Sequence, residues 1–397
     1  MQKIGLVKLR SSMSASDRSL KEECNAFLSS LSPKGEFLFT SPGQGYPTVF
    51  LVLTGGSETY FKECYKEYKP PYFIMPTGER NSLAASLEIA SYLKREGLPF
   101  CLLYGKSQTK ALSEAVSVYR AYNALSGARL GVIGGSSSWL IASNVDKRKL
   151  KDRFGVSLVN IPMRDLLSAY DRHYMPDADL LSAFEKKTRR KDELRDALYV
   201  YGALKNLKET KHLDAITMKC FDLISSRQVS ACLAFALLNG EGIVAGCEGD
   251  IPSAISMMIM NSLSEEGAFM ANPAYMDEAG NEAIYAHCTV PVSMLSSYSL
   301  ATHFESGLSF ALRGQLKKLP VTAIKVSPDL DDIRAIEGRI ADNPVQARLC
   351  RTQIKVKFDE PIAPLIHDPY GNHLIFGYGR HKAEIEALKA LFCPKGQ

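Results

Sequence analysis

The chain has 397 residues, which is enough for two or three hydrophobic cores, and its 46% hydrophobic and 23% charged residues are typical of a folded protein. Its formal net charge is +5 and its basic residues are scattered, so we expect no nucleic-acid partner. No run reaches the roughly 20 apolar residues that span a bilayer, so we expect no membrane association. Nine widely spaced cysteines without a C-x-x-C pair argue against a disulfide framework and a zinc ribbon, and favour a cytoplasmic protein.

The first third alternates short apolar runs with amphipathic stretches, which predicts a parallel sheet with helices on both faces. A helix is predicted over 82–96 and ends at Gly97. Glycine turns follow the strands, at the sheet edge where ligands usually bind. We assign 1–126 to a first α/β domain. Its strands are predicted at 3–9, 49–54, 72–75 and 99–104.

A second α/β domain is predicted over 127–213, with helices that the next domain could share. Residues 128–143 predict a strand, a Gly/Ser turn and the start of a helix, and 155–162 predict another strand. Helices are predicted between Asp177 and Lys208. An NAD(P)-binding site is one interpretation of Gly134-Gly135 here, and of Gly55 in the first domain. A tight turn is the favoured interpretation, because no G-x-G-x-x-G pattern is present.

The remaining chain, 214–397, is predicted to be a third domain. Residues 214–226 and 231–242 predict helices, and the run 242–247 predicts a strand before a further helix. Beyond Leu300, short apolar runs at regular spacing predict an antiparallel sheet or barrel. A helix is predicted at Lys382–Phe392.

Polar residues at strand ends of this third domain are the candidate site. Glu248 follows a strand and can face a cleft, whereas Asp250 precedes a helix with Pro252 at its start and is better placed to cap it.

His287 ends an apolar run, His303 and Glu305 share one face if extended, and His373 opens the last run. Carboxylates and histidines without thiolate ligands suit Mn²⁺ or Mg²⁺. Such an ion polarises a carbonyl while a carboxylate moves a proton between adjacent carbons.

At these residues the chain resembles the superfamily of L-fucose and L-arabinose isomerases, especially its shorter fucose-isomerase-like members. The resemblance is strongest in GCEGDIPSAISMMIMN, MANPAYMDEAGNEAIYAHCTVP and THFESG, and it continues in AIEGRI, CRTQI and GNHLIFGYGRH. It implies an α/β fold with two Rossmann-like α/β domains followed by a C-terminal domain that contains an antiparallel β-barrel. It also implies a homo-oligomer, trimer-based or hexameric.

The resemblance further implies a divalent metal, usually Mn²⁺, bound by Glu248 and His373, with His287 as a second ligand or acid/base. The isomerases carry a second carboxylate where this chain has Asn272, which offers a carbonyl oxygen to the metal or substrate but cannot act as a base. Three explanations follow. The second carboxylate could come from Asp277, Asp250 or Glu305, or a different base such as His287 could take its place. In the third explanation the chain has lost isomerase chemistry.

The sequence thus predicts a metal-dependent aldose–ketose isomerase that acts on a sugar or sugar derivative through an enediol. The catalytic residues would be Glu248, His287 and Asn272. The alternative is a sugar-binding or regulatory protein of the same fold, which the asparagine motivates. The substrate-binding residues would be His303, Glu305, Arg351 and Asp250, where Arg351 would favour an anionic substrate unless it pairs with a carboxylate.

Overall fold

The computed structural model describes residues 1–12, 18–105 and 107–394. The chain divides into two units, Met1–Tyr122 with Ala383–Gln397, and Asn123–Lys382. In the parts described, no helix combines the length and the apolar character that a membrane span requires. All nine cysteines are free thiols.

The first unit is built on a five-stranded parallel sheet with the strand order β2-β1-β3-β4-β5. Its central strands are nearly continuous apolar runs because helices cover both faces of a parallel sheet. Four strands and two helices, those predicted at 82–96 and 382–392, agree with the sequence prediction to within a few residues, and β2 was not predicted. The strands are β1 (Gln2–Leu9), β2 (Phe37–Thr40), β3 (Thr48–Val52), β4 (Tyr72–Pro76) and β5 (Phe100–Leu102). The helices are α1 (Arg18–Leu31), α2 (Glu58–Cys64), α3 (Ser82–Arg95), α4 (Gln108–Leu125) and, at the end of the chain, α13 (Lys382–Phe392).

The second unit begins with a four-stranded parallel sheet in the order β7-β6-β8-β9, and two of its strands lie beyond residue 213. The strands are β6 (Arg129–Ile133), β7 (Ser157–Ile161), β8 (Ala215–Met218) and β9 (Ala245–Cys247). The helices are α5 (Lys147–Phe154), α6 (Met163–Tyr170), α7 (Ala178–Glu185), α8 (Lys191–Thr210), α9 (Phe221–Arg227), α10 (Cys232–Gly240) and α11 (Ile251–Leu263).

Two local predictions in this region were wrong. Residues 214–226 do not form one helix, because their first part is the fully buried strand β8, which pairs with β6. A four-residue buried run such as Ala-Ile-Thr-Met fits a strand and a helix equally well by pattern alone. No helix starts after the Gly/Ser turn at 134–138; the next helix, α5, begins at Lys147, where the Asp146 side chain accepts hydrogen bonds from two backbone N–H groups.

The predicted antiparallel barrel is confirmed as a closed six-stranded barrel in the order β10-β11-β16-β15-β14-β17. Its interior is filled by side chains such as Tyr285 and Phe376, whose rings meet edge to face at 4.7 Å. Gly377 lets α11 approach the barrel, because a Cβ there would lie 2.3 Å from the Met260 sulfur. The strands are β10 (Phe269–Asp277), β11 (Glu282–His287), β14 (Pro320–Val326), β15 (Ile333–Asp342), β16 (Thr352–Phe358) and β17 (Leu374–Tyr378). The hairpin of β12 (Leu295–Ala301) and β13 (Ala311–Leu316) and the short helix α12 (Ala363–His367) complete the unit.

We expect Phe50→Ala in β3 to lower the free energy of unfolding by about 3–5 kcal/mol, because it leaves a cavity. Phe50 is fully buried and its ring meets that of Phe61 at 5.0 Å. Leu38→Ala in β2 is the control, since Leu38 is 41% exposed. Urea unfolding of both variants measures the difference, and equal losses would contradict this description of the core.

Candidate functional site

A pocket in the second unit brings together five of the residues predicted from the sequence. It opens beyond the carboxyl ends of β8 and β9, beside the barrel strands β10, β11 and β16. Parallel strands end at one edge of a sheet, so side chains that are distant in sequence meet there. The predicted residues in its lining are Glu248, Asn272, His287, His303 and Glu305.

Glu248 is held in an unusual backbone conformation directly after β9. Its φ is +62°, in the left-handed region that non-glycine residues rarely adopt. Gly249 follows at φ +70°, and a Cβ at this position would lie 2.2 Å from the Gly135 carbonyl oxygen. Such conformations persist only where the surroundings enforce them, and they are concentrated at functional sites.

The Gly/Ser turn after β6 provides that enforcement. The Ser137 N–H donates to the Glu248 carbonyl oxygen (2.8 Å), and the Ser136 hydroxyl donates to the Gly249 carbonyl oxygen (2.7 Å). The indole N–H of Trp139 donates to Glu248 Oε2 at 2.8 Å. The turn therefore orients the Glu248 carboxylate, which accounts for its glycines and serines without a nucleotide.

Asp250 is completely buried behind the pocket and caps α11, as the sequence favoured. Its Oδ1 accepts from the Ser253 N–H at 3.0 Å. Its Oδ2 lies 2.6 Å from the Ser253 hydroxyl, 3.2 Å from Lys325 Nζ and 2.8 Å from His373 Nδ1. This corrects the expectation that Asp250 binds substrate: no part of the residue is exposed, and its oxygens are occupied by other side chains.

The charge of Asp250 is maintained by its neighbours. Burial alone would raise the pKa of this carboxyl, but the Lys325 ammonium and the His373 hydrogen bond together lower it well below its usual range. Burial lowers the pKa of Lys325, which Asp250 opposes. An anionic Asp250 accepts a hydrogen bond from the Nδ1–H of His373, so in the neutral imidazole Nε2 is the atom with a free lone pair.

His373 Nε2 points toward Glu248. It is buried and has no hydrogen-bond partner among the described residues, and it lies 3.9 Å from Glu248 Oε2. Its ring is 5.6 Å from that of His287. One ligand atom from each of Glu248, His287 and His373 lies within 4.8 Å of the others. Two imidazoles and a carboxylate suit a borderline divalent ion.

His287, the last residue of β11, is oriented by a hydrogen bond between its Nδ1 and the Thr289 hydroxyl (2.7 Å). Burial, together with the nearby His373, lowers the pKa of His287 to about 3. The ring is therefore neutral at physiological pH and offers a lone pair to a metal ion or to a proton.

The other predicted residues take different positions. The Asn272 amide oxygen accepts from the Asn372 side chain at 3.1 Å. His303 Nδ1 accepts from the Ser306 N–H, which leaves Nε2 to carry the proton in the neutral ring. Glu305 is exposed in the lining, whereas Asp277 lies at the opposite end of β10 and closes the hairpin turn.

Arg351 forms no ion pair with a carboxylate in the part of the chain that the structure describes. It is half-buried, and its Nε and Nη2 donate to the Thr302 carbonyl and hydroxyl oxygens at 2.7 and 3.0 Å. Its guanidinium lies 5.4 Å from the Phe304 ring centre. Since Thr302 precedes His303, these bonds hold the guanidinium beside the loop that carries His303, while Arg351 itself lines a separate cavity next to the β12–β13 hairpin.

Several contributors to the site were not identified from the sequence. Lys325 lies in a run whose pattern is that of an ordinary barrel strand. Trp139 follows a turn in which the glycines are the only residues that suggested a function. Five cysteines also line the pocket, and two of their sulfurs, Cys220 Sγ and Cys247 Sγ, are 3.3 Å apart. Wide spacing along the chain concealed this grouping, because β8, β9 and the barrel bring together Cys220, Cys232, Cys247, Cys288 and Cys350.

Comparison with known proteins gives relatives over most of the chain. Proteins named sulfoquinovose isomerase, from Priestia aryabhattai and Alkalicoccus urumqiensis, are 23% and 22% identical to it. The matches cover 90% and 87% of this chain, and 84% of each relative. A protein of the same name from a Clostridium species is 24% identical over 52% of the chain. No family model matches. The enzyme class predicted from the sequence, a sugar isomerase, agrees with these names.

We expect Lys325→Met to destabilise the folded protein by about 3–5 kcal/mol, because it leaves the Asp250 carboxylate buried without its cation. Lys318→Met is the matched control, since Lys318 also pairs with an aspartate, Asp342, at 2.9 Å, but with both side chains about 60% exposed. Urea unfolding compares them. Similar small losses in both variants would show that the buried pair contributes little.

The low pKa of His287 predicts a specific pH dependence of stability. Its unfolded-state pKa is about 6.5, so between about pH 6.5 and 3 the unfolded chain binds a proton that the folded chain does not. The stability from this residue is complete above pH 6.5 and is lost as the pH falls.

His287→Asn should remove this contribution from metal-free protein. Between pH 6 and 4.5 the wild type should lose roughly 2 kcal/mol more than the variant, at the limiting slope of one proton. Urea unfolding in the presence of a chelator measures both slopes. Parallel curves would mean that His287 titrates normally.

Proposed function

We propose that the chain is a metal-dependent aldose–ketose isomerase that acts on an anionic, sulfonated sugar through an enediol. The observation that carries the proposal is the convergence of Glu248, His287 and His373 on one point, together with the unpartnered buried His373 Nε2. The isomerase name of the relatives supports the reaction class.

The donor set fits a divalent cation such as Mn²⁺. The buried lone pair of His373 Nε2 would otherwise be left unsatisfied, which is costly. Asp250 fixes this imidazole from behind, as carboxylates commonly do for metal-binding histidines. A cation held by Glu248, His287 and His373, with Asn272 as a weak further ligand, would supply Lewis-acid polarisation of the sugar carbonyl.

The proton transfer is assigned to Glu248. Its carboxylate takes the proton from C2 of the aldose and returns it to C1 of the enediol, which needs a base held against the sugar carbons. The Trp139 indole and the strained backbone keep this carboxylate in place. Asn272 contacts the substrate and cannot replace the base.

His303 and Glu305 complete the pocket for the sugar. The Nε2–H of His303 is a donor for a sugar or enediol oxygen, and the exposed Glu305 carboxylate accepts from hydroxyls or shuttles their protons. Trp139, 49% exposed, meets the Phe221 ring at 5.0 Å, and Phe221 meets His303 at 5.5 Å. This aromatic row gives the apolar face of a sugar ring a packing surface.

Arg351 is the candidate for the anionic group of the substrate. Its guanidinium has no carboxylate partner among the described residues, and the known relatives are named for a sulfonated sugar. A planar guanidinium recognises such oxyanions through paired hydrogen bonds. A trimer-based or hexameric homo-oligomer, implied by the family resemblance, belongs to the same proposal, and light scattering would measure it.

We expect Glu248→Gln to abolish isomerase activity and to weaken Mn²⁺ binding at least roughly tenfold, because the ligand and the base are lost together. Activity is measured as metal-dependent exchange of the C2 hydrogen of sulfoquinovose with deuterated solvent. Trp139 is the chain's single tryptophan and donates to Glu248, so its fluorescence reports Mn²⁺ binding directly.

The matched control is Glu278→Gln, which removes a glutamate that also contacts a histidine, His367, at 3.0 Å, but on the exposed surface. It should bind Mn²⁺ and exchange hydrogen like the wild type. Full activity in Glu248→Gln would refute the assignment of the base. Wild-type protein that neither binds a divalent ion nor exchanges hydrogen would favour the sugar-binding alternative.

A further inference from the structure

A second cavity, of about 790 Å³, opens in the first unit, at the carboxyl edge of its five-stranded sheet. Its walls come from the end of β1, the end of β3, and the helices α1 and α2 that follow these strands. The volume is within the range of about 300–1,000 Å³ that small-molecule pockets occupy. None of its residues belongs to the site around Glu248.

The topology of the sheet explains why a cavity forms there. In the order β2-β1-β3-β4-β5, the chain leaves β1 toward one side of the sheet and continues from β3 toward the other. The connections that follow β1 and β3 therefore separate, and a crevice opens between the carboxyl ends of these two strands. In open parallel sheets, ligands bind at this switch point.

The charges around the cavity are predominantly positive. Lys8, Arg10 and Lys21 lie in its lining, and among the described residues of the lining they face a single carboxylate, that of Glu63. Within the described ranges none of the three cations is in an ion pair, although many exposed basic residues of this chain are. A concave surface with one dominant sign of charge concentrates oppositely charged ligands.

The edge itself is held by hydrogen bonds and contains strained backbone. The Ser11 N–H donates to the Thr54 hydroxyl (2.9 Å), and Gly55 N–H donates to the carbonyl oxygen of Arg80 (2.8 Å). Arg80 and Asn81, which follow β4 at the same edge, have φ of +50° and +58°. Two consecutive non-glycine residues in the left-handed region are costly, and such strain is concentrated at binding sites.

The remaining lining suits an organic skeleton rather than a bare ion. The Tyr60 side chain is 46% exposed, and Leu20 and Leu53 contribute apolar surface. Hydroxyl and amide groups of Ser12, Thr59 and Asn25 add hydrogen-bonding capacity. Pockets of this kind combine an apolar surface with a few polar groups that fix orientation.

We propose that this cavity binds a small organic anion that carries a phosphate or sulfonate group. Arg10, Lys8 and Lys21 bind the oxyanion, and Tyr60 packs against the carbon skeleton. The assignment is independent of the reaction proposed for the second unit, because it rests on the first unit alone.

The test uses the full-length protein and isothermal titration calorimetry at low salt. Phenyl phosphate, benzenesulfonate and the neutral phenol are the probes, so that phosphate, sulfonate and uncharged ligands are distinguished. We expect at least one anion to bind and phenol not to bind. The double variant Arg10→Gln/Lys21→Gln should weaken that binding by about tenfold or more, since two charge-assisted contacts are lost.

The matched control is Lys69→Gln/Lys94→Gln, which removes two exposed lysines of the same unit from outside the cavity lining and should bind the anion as the wild type does. Glu63→Gln removes a carboxylate from the lining and should tighten binding by roughly two- to fivefold, because a repulsive charge is lost. That gain keeps the test informative if the double variant is unstable. Absence of binding by both anions, or equal affinities in the two double variants, would overturn the proposal.

Discussion

The buried contact between Asp250 and His373 is the interaction on which the rest of the site depends. It joins the N-cap of α11 to the residue immediately before the last barrel strand, β17, so two side chains couple the parallel-sheet region to the barrel. A buried carboxylate is tolerated only with compensating charge and hydrogen bonds, which Lys325 and Ser253 provide. The result is an imidazole with a fixed orientation, whose free nitrogen faces Glu248.

A second constraint acts on Glu248 from the opposite direction. The turn after β6 approaches so closely that only glycine fits at 249, and its backbone and serine groups take up the carbonyl oxygens of residues 248 and 249. The strain in Glu248 is thus maintained by hydrogen bonds to a neighbouring loop rather than by its own sequence context. Sheet and barrel each contribute part of the site: the sheet presents the carboxylate and the barrel presents both histidines. Neither part places the three ligand atoms together without the other.

The distribution of charge separates the two cavities in chemical character. Beside Glu248, His287 and Asp250 are buried and their pKa values are shifted: burial lowers the pKa of His287 to about 3, and the Lys325 ammonium with the His373 hydrogen bond keeps Asp250 ionised. In the cavity of the first unit, Lys8, Arg10 and Lys21 are exposed and lie outside any ion pair within the described ranges. Buried and preorganised groups suit proton transfer, whereas an exposed cationic crevice suits reversible binding of an anion.

The sequence by itself determined the element types and the candidate residues wherever a local pattern carries the information. Apolar strands followed by glycine turns predicted the first sheet, the regular short runs predicted the barrel, and Glu248, His287 and His373 stood out as polar residues at strand ends. The short buried run 215–218 was misassigned because four residues are too few to show a distinguishing period. Only the tertiary structure decided which polar residues meet. Lys325, Trp139, Cys288 and Cys350 lie far from Glu248 along the chain, and their proximity follows from strand order and barrel closure, which no local pattern encodes.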